Sequence, residues 1–301
     1  MRIIKNKKAL ITGAASGIGK ALALELAREG CNVFLWDIDE LGMANTAKEC
    51  EALGVVAICY RCDVSKKQEI SAGVRNLIER WGWIDILVNN AGVAYYGPTE
   101  NMTAEQWDWL LSINLLAPLQ LIQEFLPTLL HRAEAHILNV CSISGLVASG
   151  RFAAYHVGKY GLIGMTEALR AEYARRDMGA TALCPGPVQT NLYKNAASGR
   201  SDKKVPDPPR WLCTTPEKVA KKGVRAIYKN KAMVLVSPMA YLLYYTKRIA
   251  PWFLDSIARL SRKSKARRLS EAQAREAQWE AEQQVTKQPA TPSSATNKKA
   301  A

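Results

Sequence analysis

Short apolar segments alternate along this chain with longer segments whose apolar residues have helical spacing. The short segments are rich in Val, Ile and Leu, as in NVFLWD, IDILVNNAG and AHILNVCS, and the longer ones include GIGKALALELAREG and PLQLIQEFLPTLLHR. Buried strands of a parallel sheet have this continuous apolar composition, and helices form the crossovers between them. The alternation predicts an α/β fold, a doubly wound parallel sheet of about seven strands with helices on both faces.

The same pattern predicts a single large domain with an extension. The domain covers residues 1–238, an amphipathic basic helical extension covers 239–268, and a polar, partly disordered tail covers 269–301. The extension has two apolar stretches interrupted by Pro251, and five of the seven residues in its RKSKARR segment are basic. The end of the tail, KQPATPSSATNKKAA, has the composition of a disordered segment.

Cysteine use and hydropathy predict a cytoplasmic protein. The seven cysteines are an odd number scattered through apolar segments, which favours reduced thiols. Cys59 and Cys62 have metal-like spacing, but no second pair or nearby His completes a tetrahedral set, so no metal is expected. The longest uncharged run, residues 232–245, is shorter than the roughly 20 residues that a membrane span needs.

A glycine-rich turn joins the first predicted strand to the first predicted helix. In ALITGAASGIGKALALELA, Gly13, Gly17 and Gly19 permit a tight turn and let backbone amides approach a pyrophosphate at the helix amino terminus. Asp37 ends the next strand, 18 residues after Gly19, where a carboxylate accepts hydrogen bonds from the adenosine ribose hydroxyls. Together these features indicate a Rossmann-like dinucleotide site.

Asp37 also predicts NAD in preference to NADP. Its carboxylate repels the additional phosphate of NADP, and neither Ser16 nor Ile38 supplies a compensating positive charge. The alternative is that Asp37 only caps the turn after its strand. Asp63 also ends a predicted strand, where a short polar side chain can meet the adenine amino group.

Four motifs and two single residues then occur in a characteristic order. They are TGAASGIG (12–19), NNAG (89–92), Asn114, Ser142, YHVGK (155–159) and PGPVQT (185–190). Over roughly residues 5–240 the chain resembles the short-chain dehydrogenase/reductase family. The turn and the resemblance together assign the cofactor contacts to Thr12, Gly13, Ser16, Gly17, Ile18, Gly19, Asp37, Asp63, Val64, Asn90, Ala91, Gly92, Tyr155, Lys159, Pro185, Gly186, Val188 and Thr190.

A tyrosine and a lysine four residues apart form the predicted proton-transfer pair. Residues at i and i+4 share a helix face, so the ammonium of Lys159 can stabilise the phenolate of Tyr155 and lower its pKa from about 10. The resemblance implies that Ser142 holds the substrate oxygen, and that Asn114 perturbs its helix and binds a water linked to Lys159. Without the other motifs, a solvated Tyr–Lys pair on a helix surface would be the better interpretation.

The predicted reaction is hydride transfer between NAD(H) and a secondary alcohol or ketone. Besides Ser142, the side chains expected near the substrate are mostly apolar or aromatic: Val93, Tyr95, Tyr96, Leu146, Val147, Phe152 and Leu192. They favour a hydrophobic substrate, such as a lipid-, steroid- or retinoid-like molecule, although such residues also serve as simple packing. Arg151 is a candidate for a substrate carboxylate. The alternative function is a non-catalytic NAD-binding sensor or scaffold.

Besides the substrate, the possible partners are further copies of the chain, a membrane and nucleic acid. The helices at roughly 116–132 and 153–174 resemble those that pair subunits in the family, which implies a homodimer or homotetramer. The basic extension is compatible with peripheral binding to an anionic membrane. Nucleic acid is not expected, because the basic cluster lacks interleaved aromatic residues. His131, His136 and His156 are expected to be structural or surface residues.

Overall fold

The computed structural model describes residues 1–190, 192, 196–198, 208–260 and 265–286. It divides into two compact units, the first running from Met1 to Arg248 and the second starting at Ile249. The first unit holds the sheet and every motif named above. The sequence predicts a domain boundary at residue 238. The first unit extends past this residue, because the helix that starts at Pro238 packs against the sheet domain.

Seven parallel strands form the main sheet. In chain order they are β1 (Lys8–Thr12), β2 (Asn32–Asp37), β3 (Ala57–Arg61), β4 (Ile86–Asn89), β6 (Ala135–Val140), β7 (Met178–Cys184) and β9 (Met233–Leu235). Their spatial order is β3-β2-β1-β4-β6-β7-β9, and every pairing is parallel. Two short strands, β5 (Tyr95–Tyr96) and β8 (Ala197–Ser198), pair separately.

Helices cover both faces of the sheet. Three of them, α1 (Gly17–Arg28), α2 (Glu40–Glu51) and α7 (Pro216–Tyr228), pack on one face, and α3 (Lys67–Trp81), α5 (Ala117–Leu130) and α6 (Ala153–Tyr173) pack on the other. Successive strand residues point to opposite faces: Ile11 and Leu35 join the first core, whereas Leu10 and Phe34 join the second. The predicted seven-stranded, Rossmann-like doubly wound fold is confirmed.

A long helical segment crosses the second face and contains an irregular turn. Helix α4 (Ala104–Leu111) is followed by a π-helical turn, Ser112–Leu116, and then by α5. Within the described ranges, Ala104–Leu130 is the one stretch long and apolar enough to cross a membrane by length and composition alone. Leu121, Phe125 and Leu129 of this stretch lie in the protein core. A helix buried in a core can be as long and as apolar as a membrane-spanning helix.

Three further helices follow the sheet. Helix α8 (Pro238–Ile249) ends the first unit, while α9 (Pro251–Leu260) and α10 (Lys265–Thr286) belong to the second. The predicted helical extension therefore contains helix over most of its described length. In the basic segment 262–268, residues 262–264 and the side chains of 265–268 lie outside the described part of the chain, as do residues 287–301 of the tail.

Candidate active site

A groove with a volume of about 460 Å³ runs along the carboxyl ends of the strands. It lies where the strand order reverses, between β1 and β4, which is the ligand-binding position of open α/β sheets. The side chains and backbone that line it come from Gly13, Ala15, Ser16, Gly17, Ile18, Trp36, Asp37, Ile38, Asp39, Cys62, Asp63, Val64, Asn90, Ala91, Gly92, Val93, Ile113, Val140, Cys141, Ser142, Tyr155, Lys159, Pro185, Gly186, Val188, Thr190 and Leu192. Sixteen of the eighteen predicted cofactor residues are among them; Thr12 and Gly19 lie beneath the lining.

The glycine turn forms one end of the groove. Gly13 and Gly17 have φ of +65° and +56°, a left-handed conformation that favours glycine. A Cβ atom at Gly19 would overlap the carbonyl oxygen of Gly13, so this turn closes only without a side chain there. Ser16 precedes α1 without a side-chain cap, so the first amides of the helix lack that partner, and Ser16, Gly17 and Ile18 line the groove. This cradle fits the pyrophosphate of a dinucleotide.

Asn90 and Thr12 form the floor beside this turn. The Asn90 Nδ2 atom donates to the carbonyl oxygens of Thr12 and Gly13 at 2.9 and 3.0 Å. In return, the Thr12 Oγ1 atom accepts from the backbone amides of Asn90 and Ala91 at 3.0 and 3.1 Å. Thr12 thus acts from below, by joining the NNAG segment to the glycine turn.

Asp37 stands at the rim of the groove with an oriented carboxylate. Its Oδ2 atom accepts from the Ala15 amide at 2.9 Å, and its Oδ1 atom accepts from the Asp39 amide at 3.0 Å. The cap of α2 is Asp39, which accepts from the Gly42 amide at 3.0 Å. Asp39 therefore caps the helix, whereas Asp37 both closes the turn after its strand and is held on the groove by the amide of Ala15 in the glycine turn.

Asp63 lines the groove on the far side of Asp37 from the glycine turn. The Asp63 Oδ1 atom accepts from the amide and the hydroxyl of Ser65 at 3.0 and 2.7 Å. Burial raises the pKa of Asp63, but these hydrogen bonds and the nearby Lys66 ammonium outweigh it, so the pKa lies below its ordinary value. The carboxylate is therefore charged at neutral pH and able to accept hydrogen bonds from a ligand.

Ser142, Tyr155 and Lys159 meet at the other end of the groove. Tyr155 lies in the first turn of α6 and Lys159 one turn later, so both project from one face. The Lys159 Nζ atom lies 5.7 Å from the centre of the Tyr155 ring. Ser142 follows β6, and its Oγ atom accepts from the Ser144 amide at 3.1 Å. The structure brings together the three residues that the sequence places 13 and 4 positions apart.

The ammonium of Lys159 is deeply buried. Its Nζ atom donates to the Val140 carbonyl at 2.8 Å, and the residue is only 4% exposed. Burial lowers the pKa of Lys159 below the ordinary lysine value, while Cys141 and Cys184 act in the opposite direction. Lys159 takes part in none of the ion pairs found among the described residues, so its positive charge is available to a nearby phenolate.

Asn114 lies in the π-helical turn, which explains how an asparagine is accommodated in a long helical segment. Its amide makes two hydrogen bonds with the backbone of Val93: Oδ1 accepts from the Val93 amide at 2.9 Å and Nδ2 donates to the Val93 carbonyl at 2.8 Å. A Cβ atom at Gly92 would lie 3.3 Å from Asn114 Oδ1 and 3.6 Å from Lys159 Nζ. Asn114 thus fixes the segment after NNAG beside Lys159. Its predicted contact with a water stays a prediction.

The PGPVQT segment closes the groove above the glycine turn. The Pro185 carbonyl accepts from the Ile143 amide at 2.8 Å, and a Cβ atom at Gly186 would clash with the Ser237 hydroxyl. A Cβ atom at Gly17 would come within 3.2 Å of the Thr190 side chain. The small residues in both segments therefore let them approach each other closely.

The side chains predicted to contact substrate are distributed more widely. Val93 and Leu192 line the groove, but Tyr95, Leu146, Val147 and Phe152 do not. Tyr95 is 2% exposed and packs with Met102, Leu110 and Ala154; its hydroxyl has no hydrogen-bond partner among the described residues. The Phe152 ring lies between the rings of Tyr96 and Tyr155, with centre-to-centre distances of 5.0 and 6.4 Å. Leu146 and Val147 pack against the buried cluster beneath Cys141.

His156 has a larger role than the sequence indicates. It is buried, its Nδ1 atom lies 2.7 Å from the Ser144 carbonyl, and its Nε2 atom lies 2.9 Å from the Ser149 amide. Because a backbone amide can only donate, Nε2 accepts and Nδ1 carries the proton in the neutral ring. His156 therefore ties the loop that follows Ser142 to the helix that carries Tyr155. Its position next to Tyr155 in YHVGK is the only sequence signal.

Sequence reasoning also missed part of the groove wall. Ala15, Trp36, Asp39, Cys62, Ile113, Val140 and Cys141 line it without having been predicted. Several of them end strands or directly follow one, which is the signal that could have identified them. Within the described ranges, no group of three His, Cys, Asp or Glu side chains could hold a metal ion.

The fold and this groove together define an α/β protein with a glycine cradle at one end of the groove and a Ser–Tyr–Lys cluster at the other. The "short chain dehydrogenase" family model matches residues 7–201. The chain belongs to the short-chain dehydrogenase/reductase family. "Probable oxidoreductase EphD" of Mycobacterium tuberculosis H37Rv is 35% identical to it in an alignment 262 residues long that covers 83% of this chain and 44% of that relative. The chain thus spans less than half the length of this relative.

Two solved structures show the same fold with a cofactor bound. A short chain dehydrogenase/reductase from Burkholderia phymatum, in complex with NAD, aligns with a TM-score of 0.74 and 26% identity over 82% of this chain and 95% of that one. A metagenomic short-chain oxidoreductase in complex with NADP aligns with a TM-score of 0.65 and 27% identity over 78% of this chain and 98% of that one. Both of these relatives thus hold a nicotinamide dinucleotide on a fold that this chain shares.

Proposed function

We propose that this protein is an NAD-dependent dehydrogenase that interconverts a hydrophobic secondary alcohol and the corresponding ketone. The observation that carries the proposal is the cluster of Ser142, Tyr155 and Lys159 on the groove that also contains the glycine cradle. A phenol beside a buried cation is suited to exchange a proton with a substrate hydroxyl. The nicotinamide of the bound cofactor would supply the hydride acceptor or donor.

Each residue of the cluster has a separate task in this proposal. Tyr155 removes the hydroxyl proton when the alcohol is oxidised and returns it when the ketone is reduced. Lys159 stabilises the phenolate form of Tyr155, since its cation lies one helical turn away and is not neutralised by an ion pair among the described residues. Ser142 holds the substrate oxygen next to Tyr155. Asn114 keeps the Val93 segment in place beside them.

Asp37 supports the choice of NAD. Its carboxylate lines the groove and is held there by the Ala15 amide, where it can accept hydrogen bonds from the ribose and would repel an additional phosphate. The cation directly opposite Asp37 on the neighbouring strand, Arg61, is engaged by Glu40 and Glu69 at 3.6 and 3.5 Å. A preference for NAD over NADP follows from this arrangement of charges.

The expectation of a hydrophobic substrate is supported by the apolar residues at the catalytic end. Val93, Ile113 and Leu192 line the groove together with Tyr155 and Ser142. These side chains offer dispersion contacts and no charge, so they favour an apolar alcohol or ketone. The non-catalytic sensor or scaffold is not favoured, because the complete Ser–Tyr–Lys cluster is assembled on the groove.

Turnover with a series of secondary alcohols of increasing chain length tests the proposal. We expect NADH to form, with a higher kcat/KM for the more apolar alcohols. Tyr155→Phe should lower kcat by at least about a hundredfold and leave the affinity for NADH within about twofold of the wild type. The matched control is Tyr173→Phe, on the same helix but away from the groove.

Two results would contradict the proposal. Full activity of the Tyr155→Phe variant would remove Tyr155 from the role of base. NADH binding without turnover of any alcohol or ketone in the series would favour the sensor or scaffold.

The oligomeric state remains a prediction: a homodimer or homotetramer is expected, and light scattering would measure it.

A further inference from the structure

Helix α8, at the end of the first unit, has two different faces. Ala240 is buried, and Leu243 and Tyr244 pack against the apolar cluster at the ends of β6 and β7. The opposite face carries Tyr241, Leu242 and Tyr245, which are 43%, 67% and 53% exposed. We call these three residues the outer face of α8. The inner face holds the helix on the domain, and within the first unit the described residues leave the outer face exposed.

The outer face combines apolar area with aromatic hydroxyls. Leu242 and Tyr245 are more than half exposed, and Tyr241 nearly so, which is unusual for three large side chains on two successive turns. Tyrosine is enriched where one end of a side chain meets an apolar phase and the other meets water. This composition suits the boundary between lipid headgroups and acyl chains.

The charged residues that follow the outer face in the sequence are almost all positive. Residues 247–268 contain eight Lys and Arg residues and one acidic residue, Asp255. Lys247 and Arg248 are exposed at the end of α8; the Lys247 Nζ atom contacts the Tyr160 hydroxyl at 2.7 Å. In the second unit, α9 exposes Trp252 and Phe253. The sequence that follows the outer face thus continues the same pairing of aromatic side chains with cations.

We propose that the outer face of α8 docks onto an anionic lipid bilayer. The exposed cations that flank this face, Lys222 with its Nζ atom 6.0 Å from the Tyr241 ring, Lys247 and Arg248, are attracted to anionic headgroups, and the three outer side chains enter the interface. A second copy of the chain is a poorer occupant, because a symmetric contact through α8 would bring these cations of two copies together. Nucleic acid would leave Leu242 without an apolar environment. The enzyme would meet an apolar substrate at the surface where such molecules collect.

Vesicle sedimentation with the full-length protein tests this docking. We expect the protein to bind phosphatidylcholine vesicles that contain about 30% phosphatidylglycerol about tenfold or more tightly than vesicles of phosphatidylcholine alone. The affinity should fall at about 0.5 M NaCl. The double variant Leu242→Glu/Tyr245→Glu should lose about tenfold or more in affinity, since it places charge on the face that enters the interface.

The matched control is Leu53→Glu, an exposed leucine at the end of α2, and near-ultraviolet circular dichroism verifies that each variant is folded. Substitution is preferable to removal of α8, because Ala240 and Leu243 belong to the domain core. Equal binding to both kinds of vesicle, or unchanged binding by the double variant, would overturn the proposal. So would a change from oligomer to monomer in the double variant by light scattering, which would identify the face as a contact between copies.

Discussion

The ammonium of Lys159 donates a hydrogen bond to the Val140 carbonyl at 2.8 Å, at the end of the strand that leads to Ser142. This bond fixes the position of the cation from the sheet, independently of Tyr155. Helix α6 supplies the lysine, the last residue of β6 supplies its acceptor, and the serine follows two residues later. The relative positions of the cation and the serine hydroxyl are therefore set by how one helix packs on one strand.

Replacement of this cation should separate its role in catalysis from its role in folding. In Lys159→Met, Tyr155 loses the nearby positive charge, so we expect kcat at neutral pH to fall by at least about a hundredfold. The activity that remains should rise with pH, as the phenolate population increases toward the ordinary tyrosine pKa of about 10. A pH–rate profile measures both. Lys221→Met, on the exposed side of α7, is the control. A pH–rate profile of Lys159→Met parallel to that of the wild type would contradict the role of Lys159 in stabilising the Tyr155 phenolate.

Asp37 is expected to determine the choice of dinucleotide. Asp37→Asn keeps the shape of the side chain and an acceptor for the Ala15 amide but removes the negative charge on the groove. The ratio of kcat/KM for NADP to that for NAD should rise about tenfold, which corresponds to about 1.4 kcal/mol. The control, Asp39→Asn, removes a charge two residues away at the same rim. Equal effects of the two substitutions would show that the effect is not local to Asp37.

His156 is predicted to position the loop after Ser142. In His156→Phe, the ring is retained, but the Ser144 carbonyl and the Ser149 amide lose their partner. We expect kcat/KM for the alcohol to fall about tenfold, while NADH affinity changes less than about twofold, because the glycine cradle is untouched. Val157→Ala, at the exposed next position, is the control. Wild-type kinetics in His156→Phe would show that the loop does not depend on this residue.

The buried His136 should make the protein sensitive to acid. Burial, and then the positive charges of the amino terminus and Arg170, lower the pKa of His136 from 6.5 to about 3. Because the folded pKa lies below the unfolded one, the unfolded chain binds more protons between these values, and stability falls as the pH drops below about 6.5. The loss is about 1.4 kcal/mol per pH unit, or roughly 2 kcal/mol at about pH 5.

Urea unfolding at about pH 7 and pH 5 measures this effect. His136→Asn should reduce the difference in unfolding free energy between the two pH values by roughly 2 kcal/mol. The exposed His131, replaced in the same way, should leave the difference unchanged within about 0.5 kcal/mol. An unaltered pH dependence in His136→Asn would mean that His136 is not the acid-sensitive group.

The groove shows how far sequence reasoning reaches and where it stops. Gly13, Asp37 and Ser142 were predicted at the site because each ends or follows a parallel strand, and such strands all end at one edge of the sheet. Tyr95 was predicted at the site because it closely follows NNAG, yet it lies in the short strand β5 and is directed into a buried cluster with Met102 and Leu110. The orientation of a side chain outside the main sheet depends on contacts with distant segments, which local spacing does not reveal.

The α/β fold, the order of the motifs and the pairing of Tyr155 with Lys159 can be predicted from the chain alone, because strand and helix periodicity and the i, i+4 relationship are local properties. Three other relationships are visible only in the folded molecule: Lys159 is held by Val140, His156 anchors the loop after Ser142, and α8 belongs to the first unit. These relationships join residues brought together by packing, and packing is settled by the whole core at once.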